Sequence, residues 1–175
     1  MKSICMIAVL FVSTAVRAQI VKTNQGVISF FSSAPLEDIT AQTNKAAVAM
    51  NIYTGEIAIK IPMTTFDFPN KLMQEHFNEN YVESHKYPFA TFQGKINVAP
   101  ITLKDSSRAV ALGKLTLHGV TQDVEIAGSI VPLANAFRLQ TRFFLFLEDY
   151  NIKIPALVSM KIAEKVQVDA WFNLK

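Results

Sequence analysis

Hydrophobic and polar residues alternate with a period of two over most of the chain, and this pattern predicts β-strands. Seven segments carry the alternation clearly, at residues 26–33, 55–63, 91–98, 108–118, 121–132, 136–148 and 166–175. A weaker pattern at residues 36–50 predicts one or two further strands. In the last segment, for example, Val166, Val168 and Ala170 share one face with Phe172 and Leu174.

Two segments have helical spacing instead. Residues 69–81 place Pro69 at a suitable first helical position, and apolar residues follow at near-helical intervals. These residues are Leu72, Met73, Phe77 and Tyr81. Residues 154–165 predict a short second helix after Pro155.

Eight or so amphipathic strands without crossover helices predict an all-β antiparallel sheet. A sheet with one apolar face must bury that face, so a closed barrel and a sandwich both satisfy the pattern. Closure also removes unpaired edges. Because no repeat, linker or composition shift interrupts the sequence, we predict one domain.

The N-terminal end has the features of an export signal. Lys2 precedes an apolar stretch at residues 4–16 that is short for a membrane span, and Val16-Arg17-Ala18 fits a signal-peptidase site. We therefore expect a signal peptide at residues 1–18 and a domain at 19–175, located in the periplasm or secreted. The only cysteine, Cys5, lies in the expected signal, so the domain has neither a disulfide nor a catalytic thiolate.

Composition excludes one class of partner. The expected signal carries two of the seventeen basic residues and no acidic one, so fifteen basic and fourteen acidic residues remain, a net charge of +1. No stripe of lysine or arginine stands out, and we expect no nucleic-acid binding. Twelve of the thirteen phenylalanines lie in the expected domain beside a single tryptophan, which gives it many apolar side chains to bury.

His118-Gly119 stands between two strand patterns. Glycine accepts positive φ angles, which a short hairpin requires. A catalytic His118 would need a nucleophile and an orienting carboxylate, and Asp123 is the nearest acid in the sequence. We interpret His118 as a turn residue and predict no catalytic residues.

Two motifs carry a family resemblance. "GKLTLHGVTQDVEI" (113–126) and "HFNENYVESHKYPFATFQGKI" (76–96) resemble, in order and separation, conserved segments of the YceI-like family of exported lipocalin-like barrels. The closing "EDYNIKIPALVSMKIAEKVQVDAWFNL" (148–174) is similar to shorter members of that family. Gln122 departs from the motif, where a basic residue is common.

The resemblance implies an eight-stranded antiparallel barrel with one short helix at its side, without enzymatic activity or a required cofactor. Its lumen would bind a long apolar ligand, polyisoprenoid or quinone-like. The partner would then be a small amphiphilic lipid, with transient contact to a membrane surface. With that fold, the candidate lumen residues are Phe92, Ile96, Leu115, Leu117, Val124, Ile126, Leu139, Phe143, Leu145 and Phe172.

Polar candidates cluster at residues 71–88. Lys71, His85 and Lys86 are candidates for contact with a lipid head group. A metal site would draw on Glu75, His76, Glu79, Glu83 and His85. No HExxH or comparable spacing occurs among them, so we predict an acidic, solvated helix face and no metal. Tyr81, Glu83, Tyr87 and Pro88 are expected to fix the corner between helix and strand.

Three alternatives remain open from the sequence. Alternating apolar residues also suit an ordinary core, so the protein could be a structural or stress-related barrel with a filled lumen. A small outer-membrane barrel shows the same alternation, although the helical segment and the absence of paired aromatic girdles count against it. An enzyme using His118 or His85 as a general base lacks any supporting constellation.

Overall fold

The computed structural model describes residues 20–33, 38–154 and 163–175. It is a closed antiparallel barrel in which the strands follow one another in chain order. The eight strands are β1 (Ile20–Ser33), β2 (Asp38–Asn51), β3 (Glu56–Pro62), β4 (Phe89–Ile96), β5 (Ser107–Leu117), β6 (Val120–Leu133), β7 (Ala136–Phe146) and β8 (Lys165–Leu174). The predicted barrel with a short helix is confirmed, and the sandwich is excluded.

Closure of the barrel depends on pairing between its first and last strands. β1 and β8 pair antiparallel from Val27 opposite Trp171 to Phe31 opposite Gln167. β1 begins before the predicted Gly26. A bulge between Thr23 and Ile28 shifts its register against β2 and interrupts the alternation on which the prediction rested. The weak pattern at residues 36–50 belongs to one strand, β2, rather than two.

Residues that alternate between apolar and polar in the sequence face alternately into and out of the barrel. In β8, Val166, Ala170, Phe172 and Leu174 are buried in the barrel, whereas Trp171 on the other face is exposed. Because neighbouring strands are in register, their inward side chains form one continuous apolar cluster along the barrel axis. The barrel therefore encloses its own core.

The predicted helix at residues 69–81 is one short helix, α1 (Lys71–His76), which continues as a π-helical turn over Phe77–Tyr81. Pro69 is not its first residue. Asn70 caps the helix, because its side-chain oxygen accepts hydrogen bonds from the main-chain nitrogens of Leu72 at 2.9 Å and Met73 at 3.4 Å.

Short 3₁₀ turns at Met63–Thr65, Pro100–Thr102 and Leu147–Tyr150 complete the connections. The second predicted helix, at residues 154–165, lies largely outside the described residues, and its last residue, Lys165, begins β8. None of the helices within residues 20–33, 38–154 and 163–175 has both the length and the hydropathy needed to cross a membrane.

Candidate ligand-binding site

The lumen is not filled by the side chains that line it. A cavity of about 480 Å³, the upper chamber, lies at the end of the barrel that α1 covers. A second cavity of about 120 Å³, the lower chamber, lies deeper along the axis. The two chambers share five wall residues, which we call the neck: Ile28, Ile61, Leu115, Phe143 and Val168.

Four phenylalanines form one wall of the upper chamber. Phe30 on β1 packs against Phe66, Phe68 and Phe77, with ring centroids 5.5–5.7 Å apart, and Phe68 lies 5.0 Å from Phe77. Phe66 and Phe68 are held there because Gln42 and Asp67 exchange main-chain hydrogen bonds of 3.1 and 2.8 Å. This cluster was not predicted from the sequence, although the alternation in "TFDF" (65–68) was a signal for it.

Nine of the ten predicted lumen residues line a chamber. Leu117 and Leu145 line the upper one, Phe92, Ile96, Ile126, Leu139 and Phe172 line the lower one, and Leu115 and Phe143 line both. Val124 lines neither chamber, although it packs against the core. This placement says where the residues are; their part in binding a ligand stays a prediction.

The polar groups of the upper chamber are few. Its lining includes Ser32, Asn70, His76 and Tyr81 among otherwise apolar residues. Ser32 is already occupied, since its hydroxyl accepts a hydrogen bond of 3.0 Å from the main-chain nitrogen of Ala163. Burial raises the pKa of the Tyr81 hydroxyl, which therefore remains neutral at physiological pH.

The predicted head-group residues do not line this chamber. The Lys71 ammonium is exposed and bonds Asp67 and Gln74 at 3.0 Å each. His85 is also exposed, and the Lys86 ammonium lies 4.9 Å from the centre of the Tyr87 ring. Two polar residues of this region border the chamber instead: Asn70, which precedes Lys71, and His76, the last residue of α1.

His118 is a turn residue with a further structural contact. His118 and Gly119 have φ angles of 51° and 74°, as a two-residue hairpin with two positive φ angles requires. The Nε2 atom of His118 lies 2.7 Å from a Glu83 carboxylate oxygen, and its Nδ1 lies 3.0 Å from the carbonyl oxygen of Tyr150. The hairpin is thereby tied to two other connections at the same end of the barrel.

The carboxylate partner of His118 is not its nearest acid in the sequence. Asp123 does not face the histidine but pairs with Lys114 at 2.8 Å, and the carboxylate beside His118 belongs to Glu83. The hydrogen bond with His118 is the main reason why the pKa of Glu83 is lowered. Because both ring nitrogens are engaged, His118 has no free nitrogen with which to activate a nucleophile.

Comparison with known proteins places this barrel in a family. The sequence profile of the family described as YceI-like domain matches residues 11–174. The chain belongs to the YceI-like family. No curated protein matches the sequence significantly.

Solved structures share the YceI-like fold at low sequence identity. A polyisoprenoid binding domain from Saccharophagus degradans implicated in plant cell wall breakdown superposes with a TM-score of 0.78 at 16% identity, covering 89% of this chain and 97% of that one. BcnA of Burkholderia cenocepacia gives 0.72 at 15% identity, with 86% and 96% covered. The YCEI protein of Campylobacter jejuni gives 0.57 at 13% identity, with 99% and 97% covered. At such identities these similarities establish the fold.

The YceI-like corner between helix and strand is organised by Glu83. Its carbonyl oxygen accepts hydrogen bonds from the main-chain nitrogens of Lys86 at 2.8 Å and Tyr87 at 2.9 Å, and the carbonyl of Pro88 accepts one of 3.0 Å from Met63. Glu83 itself has a φ of 44°. Within the three described ranges of the chain, no group of three or more His, Cys, Asp or Glu side chains lies close enough to hold a metal ion.

Gln122, the departure from the family motif, has a structural contact of its own. Its side-chain nitrogen donates a hydrogen bond of 2.8 Å to the carbonyl oxygen of Asp149. The residue thus joins β6 to the 3₁₀ turn that follows β7.

Proposed function

We propose that this protein is an exported, non-enzymatic carrier or reservoir that binds a long apolar lipid, polyisoprenoid or quinone-like, in its lumen. The observation that supports it best is the upper chamber: about 480 Å³ of space with aromatic and aliphatic walls. Pockets for small molecules typically measure about 300–1,000 Å³ and are lined in this way. Membership of the YceI-like family, and the polyisoprenoid binding domain among the structures with this fold, favour a binding protein of this class over an enzyme.

The volume limits how much lipid the lumen holds in this conformation. If each methylene-sized group takes about 30 Å³, the volume of one water molecule in the liquid, the upper chamber holds roughly 16 groups, or about three isoprene units. Adding the lower chamber extends this to about four units. A longer ligand therefore requires the neck to widen or part of the chain to remain outside.

Energetics favours a carrier that exchanges lipid over an irreversible trap. Burial from water contributes about 0.8 kcal/mol per methylene, or roughly 4 kcal/mol per isoprene unit. A prenyl lipid comes from a bilayer, however, where this hydrophobic term is already satisfied. Packing against the four phenylalanines and contacts at the chamber rim then decide the direction of transfer.

The alternatives fit the observed barrel less well. A filled lumen conflicts with the upper chamber. An outer-membrane barrel turns apolar side chains outward and polar ones inward. Here the outward positions of β4 and β5 include Gln93, Lys95 and Lys114, and the inward positions are apolar. Export to the periplasm or beyond is supported by the N-terminal sequence pattern alone.

Mass spectrometry of lipids that co-purify with the protein from its native host tests this function. Ala90 lines the upper chamber, so we expect Ala90→Trp to reduce the lipid recovered per protein. Ala58 lies on the exposed face of β3, which makes Ala58→Trp the matched control with undiminished lipid. Absence of any apolar lipid from the wild-type protein, or equal recovery from both variants, would contradict a lumenal carrier.

A further inference from the structure

The main-chain ladder between β6 and β7 covers only part of the two strands. These strands pair from Leu133 opposite Ala136 as far as Gly128 opposite Thr141. Beyond that point, residues 120–127 of β6 and 142–146 of β7 do not pair with each other, although each keeps its other neighbour, β5 or β8. We call the space between these two segments the seam. It begins at mid-barrel and runs toward the end that α1 covers.

Side chains replace the main-chain ladder at both ends of the seam. At mid-barrel the Thr141 hydroxyl donates a hydrogen bond of 2.6 Å to the carbonyl oxygen of Ala127. At the other end Gln122 reaches across to the carbonyl of Asp149, at 2.8 Å. The two strands are therefore joined by side chains at each end of the seam and have no main-chain pairing between these points.

The lower chamber extends to the mid-barrel end of the seam. Ser129 and Gln140 are paired with each other and face outward, yet both line the lower chamber together with the inward residues Ile126 and Phe143. The lower chamber therefore borders the strand pair at which the β6–β7 ladder stops. Along the seam, the inward residues Val124 and Leu145 are only half-buried.

On its β7 side the outer surface beside the seam is apolar and cationic, whereas the β6 side carries the exposed carboxylates of Asp123 and Glu125. Phe144 and Phe146 on β7 are 52% and 45% exposed, and the Lys165 ammonium lies 4.1 Å and 5.8 Å from their ring centres. Phe31 on β1 is also exposed. It lies level with Phe144 across the sheet, because both residues are paired with Gln167 of β8. Exposed aromatic side chains beside a lysine suit a bilayer interface, where rings enter the acyl boundary and ammonium groups meet phosphates.

We propose that lipid passes sideways between a bilayer and the lumen through the seam, while Phe144, Phe146 and Lys165 contact the bilayer surface. This inference rests on the proposed function and adds its route. If the lipid instead left end on, through the open end of the barrel, its whole tail would pass through water. Lateral passage keeps most of the tail against apolar surfaces, because the seam opens beside the membrane-facing patch along much of its length.

A reversible block of the seam tests the route. Cys5 is the only cysteine, so in a Cys5→Ser background Glu125→Cys gives a single thiol on the outward face of the seam, at a residue that does not border either chamber. A bulky aromatic methanethiosulfonate attached there is released by reductant. Val131→Cys, on the paired half of the same strand, carries the matched control label. The probe is all-trans-retinol, an intrinsically fluorescent isoprenoid.

Two measurements separate the route from binding itself. The first is equilibrium loading of retinol from dilute ethanol. The second is its rate of transfer from vesicles of phosphatidylcholine and phosphatidylglycerol. We expect the label at position 125 to slow transfer about tenfold with little change in equilibrium loading, since barriers and affinities vary independently. Reductant restores the rate, and the label at position 131 leaves it unchanged.

The membrane-facing patch is tested in the same assay. Phe144→Ser combined with Phe146→Ser is expected to reduce both co-sedimentation with vesicles and the transfer rate. Phe89→Ser is the control, because Phe89 is exposed and has Lys60 3.7 Å from its ring centre, but lies on β4.

Unchanged transfer after blocking position 125, an equal effect of the label at 131, or a loss that reductant does not reverse would overturn the lateral route. Serine variants of Phe144 and Phe146 that bind vesicles like the wild type would overturn the patch. If the unmodified protein takes up no retinol even from ethanol, the proposed function fails instead.

Discussion

Replacing Leu115 by alanine tests whether the wall of the lumen faces a real void. Leu115 is 7% exposed and belongs to the neck, so it borders both chambers. Leu174 is 0% exposed and borders neither chamber, which makes it the matched leucine in solid core. The same three carbons are removed in each variant, and only their surroundings differ.

The magnitudes follow from those surroundings. Removing three buried carbons costs about 2.4 kcal/mol in transfer free energy alone. At Leu174 a new cavity adds to this, for a total of about 3–5 kcal/mol. At Leu115 one side already faces empty space, so fewer contacts are lost and we expect about 2 kcal/mol.

Urea unfolding measures both free energies of unfolding, with m-values compared to confirm a two-state transition. A difference of about 1–3 kcal/mol corresponds to a separation of about 2–12 °C in thermal midpoint for a protein of this size. If Leu115→Ala costs as much as Leu174→Ala, the lumen is packed as core and the chamber does not persist in solution.

Three further predictions concern the ligand, a close contact and pH. Retinol at about 100 times its Kd stabilises the fold by about 2.7 kcal/mol, which raises the thermal midpoint by about 5–10 °C. Gly26→Ala destabilises by about 1–3 kcal/mol in urea, because the new Cβ would lie 2.6 Å from Cδ1 of Phe172. The hydrogen bond with His118 lowers the pKa of Glu83 below 4.5, so the stability it contributes is present above pH 4.5 and lost as pH falls through the folded value. Glu83→Gln then gives a shallower loss of stability below pH 4.5.

Each of these has an outcome that contradicts it. A thermal midpoint that does not respond to retinol argues against a lumenal site. Unchanged stability of Gly26→Ala means that the Phe172 ring moves aside freely. An acid unfolding curve that is the same with and without the Glu83 carboxylate removes that group from the pH dependence.

The strands could be predicted from the sequence because a barrel wall imposes one physical rule on every residue. A side chain faces either the lumen or the outside, so the period of two survives along whole strands such as β8. The rule failed where the register breaks. The bulge between Thr23 and Ile28 shifts the phase, so the alternation indicated a strand only from Gly26 onward.

The site was harder to predict because much of it is not periodic. Phe66 and Phe68 lie in a connection, and nothing local shows that they pack on Phe77. Glu83 and His118 meet across thirty-five positions, and the second partner of His118 is a main-chain carbonyl, which no sequence pattern marks. The seam exists because the pairing between β6 and β7 stops at mid-barrel, and pairing depends on both strands together.

The ladder between β1 and β8 has a consequence for biogenesis. β1 can pair with β8 only after β8 has been synthesised, so the barrel closes only when nearly the whole chain is available. Pairing over such a distance in sequence makes folding slow. Under the proposed function, a lipid has no enclosed lumen to enter before the barrel closes, so it would bind after folding rather than during translation.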